Sequence, residues 1–408
     1  MSGQAFDILT FHKDSFVTVE GRNTADSFYI IRQGTVRISR KIGLRGVSEE
    51  TLVAGDFFGI VSAFASQKHI EDAVALSDVT LIAVKVSEYA DLIQDNSLVA
   101  VKILMQLSKR LRLFDAALIK VTANGEKAKP KDGDHLLLFK TAEFFMAHKR
   151  LTDAFHSYAQ YLKYGPPGKD MQTAEARLAE LTEKVKRPPL EHPKGETNRT
   201  YPKGQMLFAE GEPGEELFII QSGSVRISKI IGENDILLGV LKPGDILGEM
   251  ALLENKPRSA SAVAAEDCTA MAVTKSNFDL LIKNQPQLVT KITTLLAGRI
   301  WFSYRQLETC TMINPLGRIY SGLLAQLEKA YVHLDSSAGY TFNITWEELI
   351  NSLGLSEKEG FILMGSLQKD KNIEVKKNGR ILLESIEELV KKTDYYRKLD
   401  IVAKSRDS

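Results

Sequence analysis

The feature that most constrains this chain is that it repeats itself. Residues 28 to 39 read FYIIRQGTVRIS and residues 217 to 228 read LFIIQSGSVRIS, an offset of 189. The register holds without a gap: LVAGDFFG (52 to 59) falls on LKPGDILG (241 to 248), and Arg110 falls on Arg299. From 28 to 111, 27 of 84 positions are identical, so one fold is used twice. Each copy has short runs of alternating or β-branched residues, such as Ile30, Val36 and Ile38, separated by glycines where tight turns must form. Turns every ~8 to 12 residues indicate a small barrel or jelly roll. Each copy then ends in a helical pattern. Val99, Ile103, Leu107, Leu111, Phe114 and Leu118 recur at three or four residues in the first; Leu288, Ile292, Leu295, Phe302 and Gln306 do so in the second, interrupted by Arg299.

Two stretches between the copies have linker composition: KVTANGEKAKPKDGD (120 to 134) and RPPLEHPKGETN (187 to 198). The residues between them are helical in pattern. Ala142, Phe145, Ala154, Tyr158, Tyr161 and Pro166 are spaced as in one tetratricopeptide unit, followed by a capping helix from about Ala174 to Val185. A single unit cannot stack into an array, and a plain helical spacer is the alternative reading. After the second copy, Pro315 to Leu334 is expected to be helical. Thr345 with Glu348 three residues later makes a capping box, Gly354 breaks the helix, Ser356 caps the next, and two short strands flank Asn378 and Gly379. Helix, turn, helix and β-wing is the order of a winged helix-turn-helix.

The expected class is therefore α+β, with four regions: a first barrel at 1–121, a tetratricopeptide-like spacer at 134–186, a second barrel at 199–310 and a winged helix-turn-helix at 314–392. Fifty-three Lys+Arg against 52 Asp+Glu leave a net charge of +1, which argues against a wholly basic nucleic-acid glove. The two cysteines, Cys268 and Cys310, are too few for a disulfide framework, zinc site or iron-sulfur cluster, and both are expected to be buried thiols. The N-terminus has no basic segment leading into an apolar one, and the chain has no run of eighteen apolar residues, which points to the cytoplasm. GPPGK (165 to 169) is a turn and no P-loop, His148 and His156 are expected at the surface, and no catalytic, metal or cofactor motif stands out.

The segment richest in chemistry is GEMALLENKPRSAS, residues 248 to 261. A glycine that lets backbone approach a ligand, a carboxylate beside it, a short helical turn and an arginine on the return strand suit a small anion carrying hydroxyls. The segment strongly resembles the phosphate-binding cassette of cyclic-nucleotide-binding domains. The resemblance implies that Glu249 accepts the ribose 2'-hydroxyl and that Arg258 pairs the cyclic phosphate. Gly248, Met250, Ala251, Leu252, Ser259 and Ala260 would complete the site, with cyclic AMP or cyclic GMP as ligand. In the first copy Ile60 stands at the position of Glu249 and His69 at that of Arg258, and residues 60 to 72 share no identity with the second copy. Glu71 and Asp72 are expected to repel a phosphate, so copy one reads as a scaffold that has lost or exchanged its ligand.

The C-terminal region resembles that of Crp/Fnr-type transcription regulators, with NPLGRIYSGLLAQL as the helix after the hinge. The resemblance implies DNA as partner; a helix closing over the base through Trp301, Ser303 or Tyr304 is the expected lid, with a core position as the alternative for Trp301. Departures are plain. Glu357 and Ile362 occupy positions where basic residues are common, and residues 341 to 391 hold seven Lys+Arg against nine Asp+Glu. Lys358, Lys376, Lys377 and Arg380 are the candidate DNA contacts. A nucleotide-sensing adaptor that binds protein is the alternative, using the spacer and the winged helix. Assembly is expected to be a homodimer, or an intrachain pseudo-dimer of the two helices after the barrels.

Overall fold

The computed structural model describes residues 6–42, 49–122, 134–185, 192–193, 195–231, 234–254, 256–367 and 370–407. Of the two expected linkers, 123–133, 187–191 and 194 lie outside the described residues. The chain forms two compact units: Met1–Val86 with Arg110–Lys127 and Ala297–Ser408, and Ser87–Lys109 with Ala128–Leu296.

The first repeat opens the first unit with β1 (Asp7–Phe11), β2 (Phe16–Thr18), β3 (Ser27–Gln33), β4 (Thr35–Ser39), β5 (Glu49–Val53), β6 (Phe57–Phe58), helix α1 (Ile60–Phe64), β7 (Asp72–Ala75) and β8 (Val79–Lys85). Two antiparallel four-stranded sheets, β1-β8-β3-β6 and β2-β7-β4-β5, share a core of Ile31, Val36, Ile38, Phe58, Ala73 and Leu81. Alternation along each strand supplies that core, since every second side chain points inward. Helices α2 (Tyr89–Asp95) and α3 (Ser97–Thr122) follow, and α3 contributes to both units.

In the second unit α4 (Asp134–Ala147), α5 (Leu151–Tyr164) and α6 (Lys169–Lys184) bury Ala142, Phe145, Ala154, Tyr158 and Tyr161, the positions picked out by spacing. The repeat then recurs as β9 (Asn198–Tyr201), β10 (Met206–Phe208), β11 (Glu216–Ser222), β12 (Val225–Ile231), β13 (Asn234–Leu241), β14 (Ile246–Leu247), α7 (Glu249–Glu254), β15 (Ser261–Ala264) and β16 (Cys268–Thr274). Its sheets, β9-β16-β11-β14 and β10-β15-β12-β13, repeat the first copy's order strand for strand. Met206, Ala209 and Val263 of this barrel share one apolar cluster with the spacer helices. The two are therefore packed as one body. His156, expected at the surface, is buried in that packing, because Nε2 lies 3.0 Å from the Glu212 carboxylate.

The helical pattern that ends the second copy is two helices, α8 (Lys275–Asn284) and α9 (Pro286–Cys310). Pro286 has no N–H to continue α8 but starts a helix readily. The apolar face of α9 is also displaced from the expected stripe: Val289, Ile292, Leu296, Ile300, Tyr304 and Leu307 are buried, and Leu288, Leu295, Phe302 and Gln306 only partly so. Arg299 falls on the exposed side of this register, which removes the apparent interruption.

The rest of the first unit is α10 (Pro315–Lys329), β17 (Tyr340–Thr345), α11 (Trp346–Ser352), α12 (Glu357–Leu367), β18 (Ile373–Val375), β19 (Arg380–Leu383) and α13 (Ile386–Asp407). Helix α10 ends earlier than Leu334, since Tyr331 takes a left-handed φ of 52°. The Thr345–Glu348 capping box is present, and Ser356 and Glu359 make the same reciprocal bonds at α12. Ile319, Leu323, Trp346, Leu349, Ile381 and Leu389 close a core under the sheet β17-β19-β18. Cys268 and Cys310 are both buried, free thiols.

Candidate functional site

In the second barrel the residues singled out by sequence come together where β14 leads into α7 and β15 returns. Gly248 takes φ 79°, and a Cβ there would sit 2.2 Å from Nη1 of Arg258. Only glycine leaves room for the guanidinium. Arg258 Nη1 donates to the Gly248 carbonyl at 2.8 Å, and the guanidinium lies 4.3 Å from the Phe208 ring centre. Arg258 is 5% exposed, yet its Nε has no hydrogen-bond partner. Burial lowers its pKa, while Glu212, Glu216 and Glu249 oppose that shift without reversing it.

A buried cation with an unsatisfied donor is costly unless an anion arrives to pair it. Glu249 is buried at the start of α7, and Met250, Ala251, Leu252 and Ala260 are buried around it. Ser259 places its hydroxyl 3.9 Å from the Met250 sulfur and its carbonyl within 2.9 Å of Lys229 Nζ. Sequence reading missed the aromatic floor of Phe208 and Phe218 under Arg258, and Gly214, where a Cβ would meet Arg258 Nε at 2.7 Å. It missed the spacer's contribution too. His156 holds Glu212, whose backbone carbonyl accepts from Arg258 N at 2.8 Å.

The first barrel is built differently at the equivalent place. Ile60 is buried and apolar, and His69 is buried with Nδ1 unpartnered. Glu71, expected to repel an anion, is itself held: Gly59 N donates to its Oε1 at 3.2 Å, and Arg40 and Arg110 bind its Oε2 at 2.6 and 3.4 Å. Glu50 Oε1 accepts from the same two arginines at 2.6 and 2.7 Å. Burial raises the Glu71 pKa, but the two arginines and the Gly59 N–H outweigh it and leave the carboxyl at about 2.

The lid expectation is corrected. Trp301, Ser303 and Tyr304 belong to the first unit, and their bonds are to the first barrel and α3. Trp301 Nε1 donates to the Lys68 carbonyl at 3.3 Å, Ser303 Oγ lies 3.3 Å from the Asp115 carboxylate, and Tyr304 OH donates to Glu20 at 2.5 Å. Apolar spacing alone cannot say which barrel a helix end serves. In the C-terminal region Lys358, Lys377 and Arg380 are exposed, but Lys376 is taken up by the Glu374 carboxylate at 2.7 Å. Phe361 and Ile362 stand out from α12 at 79% and 68% exposure. Among the described residues no group of three or more His, Cys, Asp or Glu is placed to hold a metal ion, and no helix is long and apolar enough to cross a membrane.

The comparisons bear on both barrels. The cyclic nucleotide-binding domain profile matches residues 8–96 and 198–285. The cyclic AMP receptor protein of Thermus thermophilus is 32% identical over 161 residues, 39% of this chain and 71% of that protein. A CRP-like cAMP-activated global transcriptional regulator of Mycobacterium tuberculosis is 27% identical over 159 residues, again 39% and 71%. The crystal structure of Thermus thermophilus catabolite activator protein is 26% identical, covers 49% of this chain and 90% of its own, and has a TM-score of 0.28. A domain matched twice and a relative spanned over most of its length lead to one conclusion: the chain belongs to the cyclic AMP receptor protein (CRP) family, with two cyclic nucleotide-binding domains in one polypeptide.

Proposed function

We propose that the protein is a transcription regulator that binds one cyclic nucleotide, cyclic AMP or cyclic GMP, in its second barrel and passes the binding event to a C-terminal winged helix-turn-helix. The observation that carries this reading is Arg258: a buried guanidinium, walled by glycines that leave it space, with a donor still to be satisfied. Gly248, Met250, Ala251, Leu252, Ser259 and Ala260 would line the phosphate, and Glu249 would take the ribose hydroxyl. The curated relatives support the ligand class, since two of them are named as cAMP-activated regulators. Ligand biases the protein only through a difference in affinity between two states. Helices α8 and α9, which follow β16 directly, are the elements on which such a difference would act.

For the C-terminal region the arrangement of α11, α12 and the β18–β19 hairpin supports a winged helix, with Lys358, Lys377 and Arg380 as phosphate contacts and Lys376 weakened by Glu374. Exposed Phe361 and Ile362 on α12 favour a second reading, an adaptor whose winged helix and tetratricopeptide-like spacer meet protein. Binding to a genomic fragment library at low salt, with cyclic nucleotide present, separates the two. Retention that falls with salt supports the DNA reading, and no retention supports the adaptor.

A further inference from the structure

We propose that the first barrel carries its own ligand: the Glu71 carboxylate permanently fills that barrel's anion position, and in doing so fixes segment 65–71 as the anchor for α9 at Trp301 and for the end of α10. The internal repeat locates the position. Gly59 corresponds to Gly248, and Glu71 corresponds to Ala260, a residue of the second barrel's candidate site. A carboxylate introduced at that place reaches the N–H of the cassette glycine, whereas in the second barrel the carbonyl of the corresponding glycine accepts from Arg258.

The charge balance differs between the two barrels in the way this requires. Around the first barrel's position stand two arginines, Arg40 and Arg110, and two carboxylates, Glu71 and Glu50, all joined at 2.6 to 3.4 Å. No net charge is left for an outside phosphate. Glu71 is 1% exposed, so its carboxylate is held by these partners and not by water. In the second barrel the buried Arg258 guanidinium is bonded instead to a backbone carbonyl, that of Gly248, at 2.8 Å.

What Glu71 fixes is a segment that holds other elements of the same unit. The Ala65 carbonyl accepts from Tyr331 OH at 3.2 Å, Gln67 Nε2 donates to the Glu328 carbonyl at 3.2 Å, and the Lys68 carbonyl accepts from the Trp301 indole at 3.3 Å. A cassette that would be ordered by nucleotide in a binding barrel is ordered here by its own side chain. The first barrel is thus a constant platform and no second sensor.

Chemical rescue tests this on the full chain. Glu71→Ala empties the site of its carboxylate and leaves the arginines in place, lowering the thermal midpoint by roughly 5 to 10 °C. Formate, acetate or inorganic phosphate should restore the midpoint saturably, relative to chloride at equal ionic strength, and should raise it by far more than in the wild type, where only the Arg258 site is open to them. An Arg258→Ala background removes any contribution of the second barrel, and the rescue should persist in it, so failure of the second-barrel reading is read separately. Glu71→Gln, which fills the space, should not respond. Rescue absent from Glu71→Ala, or equal in Glu71→Gln or wild type, overturns the proposal. A Glu71→Ala chain that is unfolded in chloride must regain its folded population in formate; if it stays unfolded, the proposal is overturned as well.

Discussion

The two buried arginine sites differ in what removing a residue does. Arg258 is proposed to pair the ligand's phosphate, so Arg258→Ala should weaken cyclic-nucleotide binding by about 1.5 to 3 kcal/mol, roughly tenfold to more than a hundredfold. Titration calorimetry reads this directly, and Glu249→Gln should lose less. At Glu71 the pair is already complete. Its carboxyl lies at about 2 in the fold against an ordinary 4.5, so its contribution is fully present above pH 4.5 and is lost as pH falls toward 2. Arg40, Arg110 and Glu50 face it, and so does His69, whose pKa is lowered by burial against the pull of Glu71. A depressed histidine pKa acts in the same direction from pH 6.5 downward. Acid unfolding of Glu71→Gln should therefore lack the steep loss between pH 4.5 and 2 that the wild type shows; parallel curves would contradict the assignment. Glu71 was legible in the sequence only as an odd acid. Its partners lie 31 and 39 residues away with no local pattern to announce them.

At the scale of elements, the strands and turns of both barrels were readable because alternation and glycine punctuation are local. The caps at Thr345 and Ser356 were readable for the same reason. The face of α9 was not, since this long helix contributes residues to both units and has apolar residues on more than one side, and only the partners select among them. Tyr304 shows the cost of that choice: it is 2% exposed and donates to a buried carboxylate, Glu20, that also accepts from Lys41 N at 2.9 Å. Tyr304→Phe leaves Glu20 short of a donor and should destabilise the first unit by about 1 to 3 kcal/mol in chemical denaturation. On α12, Glu357→Arg replaces an exposed acid at the helix start with a cation. It should raise general DNA affinity and steepen its salt dependence by about one phosphate contact, as read by binding at several salt concentrations. An unchanged salt slope would turn attention to Phe361 and Ile362 as a protein-binding face.

For the molecule as a whole, repetition within one chain changes what assembly has to supply. In the first unit the C-terminal part of α3 lies against that of α9, with the Phe114 and Tyr304 rings 6.0 Å apart and Ser303 beside Asp115. In the second unit Tyr89 OH meets Thr293 at 3.2 Å. Helix faces occupied by the same chain are closed to a second copy, so light scattering should give a 45.4 kDa species at micromolar concentration, and a stable doubled mass would refute intrachain pairing. The account then rests on one proposed asymmetry, a barrel that waits for an anion and a barrel that contains one. Calorimetric titration of the full chain with cyclic AMP and cyclic GMP measures it most directly. One nucleotide per chain, weakened by Arg258→Ala and unaffected by His69→Ala, is the expected result; two per chain, or normal binding by the Arg258 variant, would contradict it.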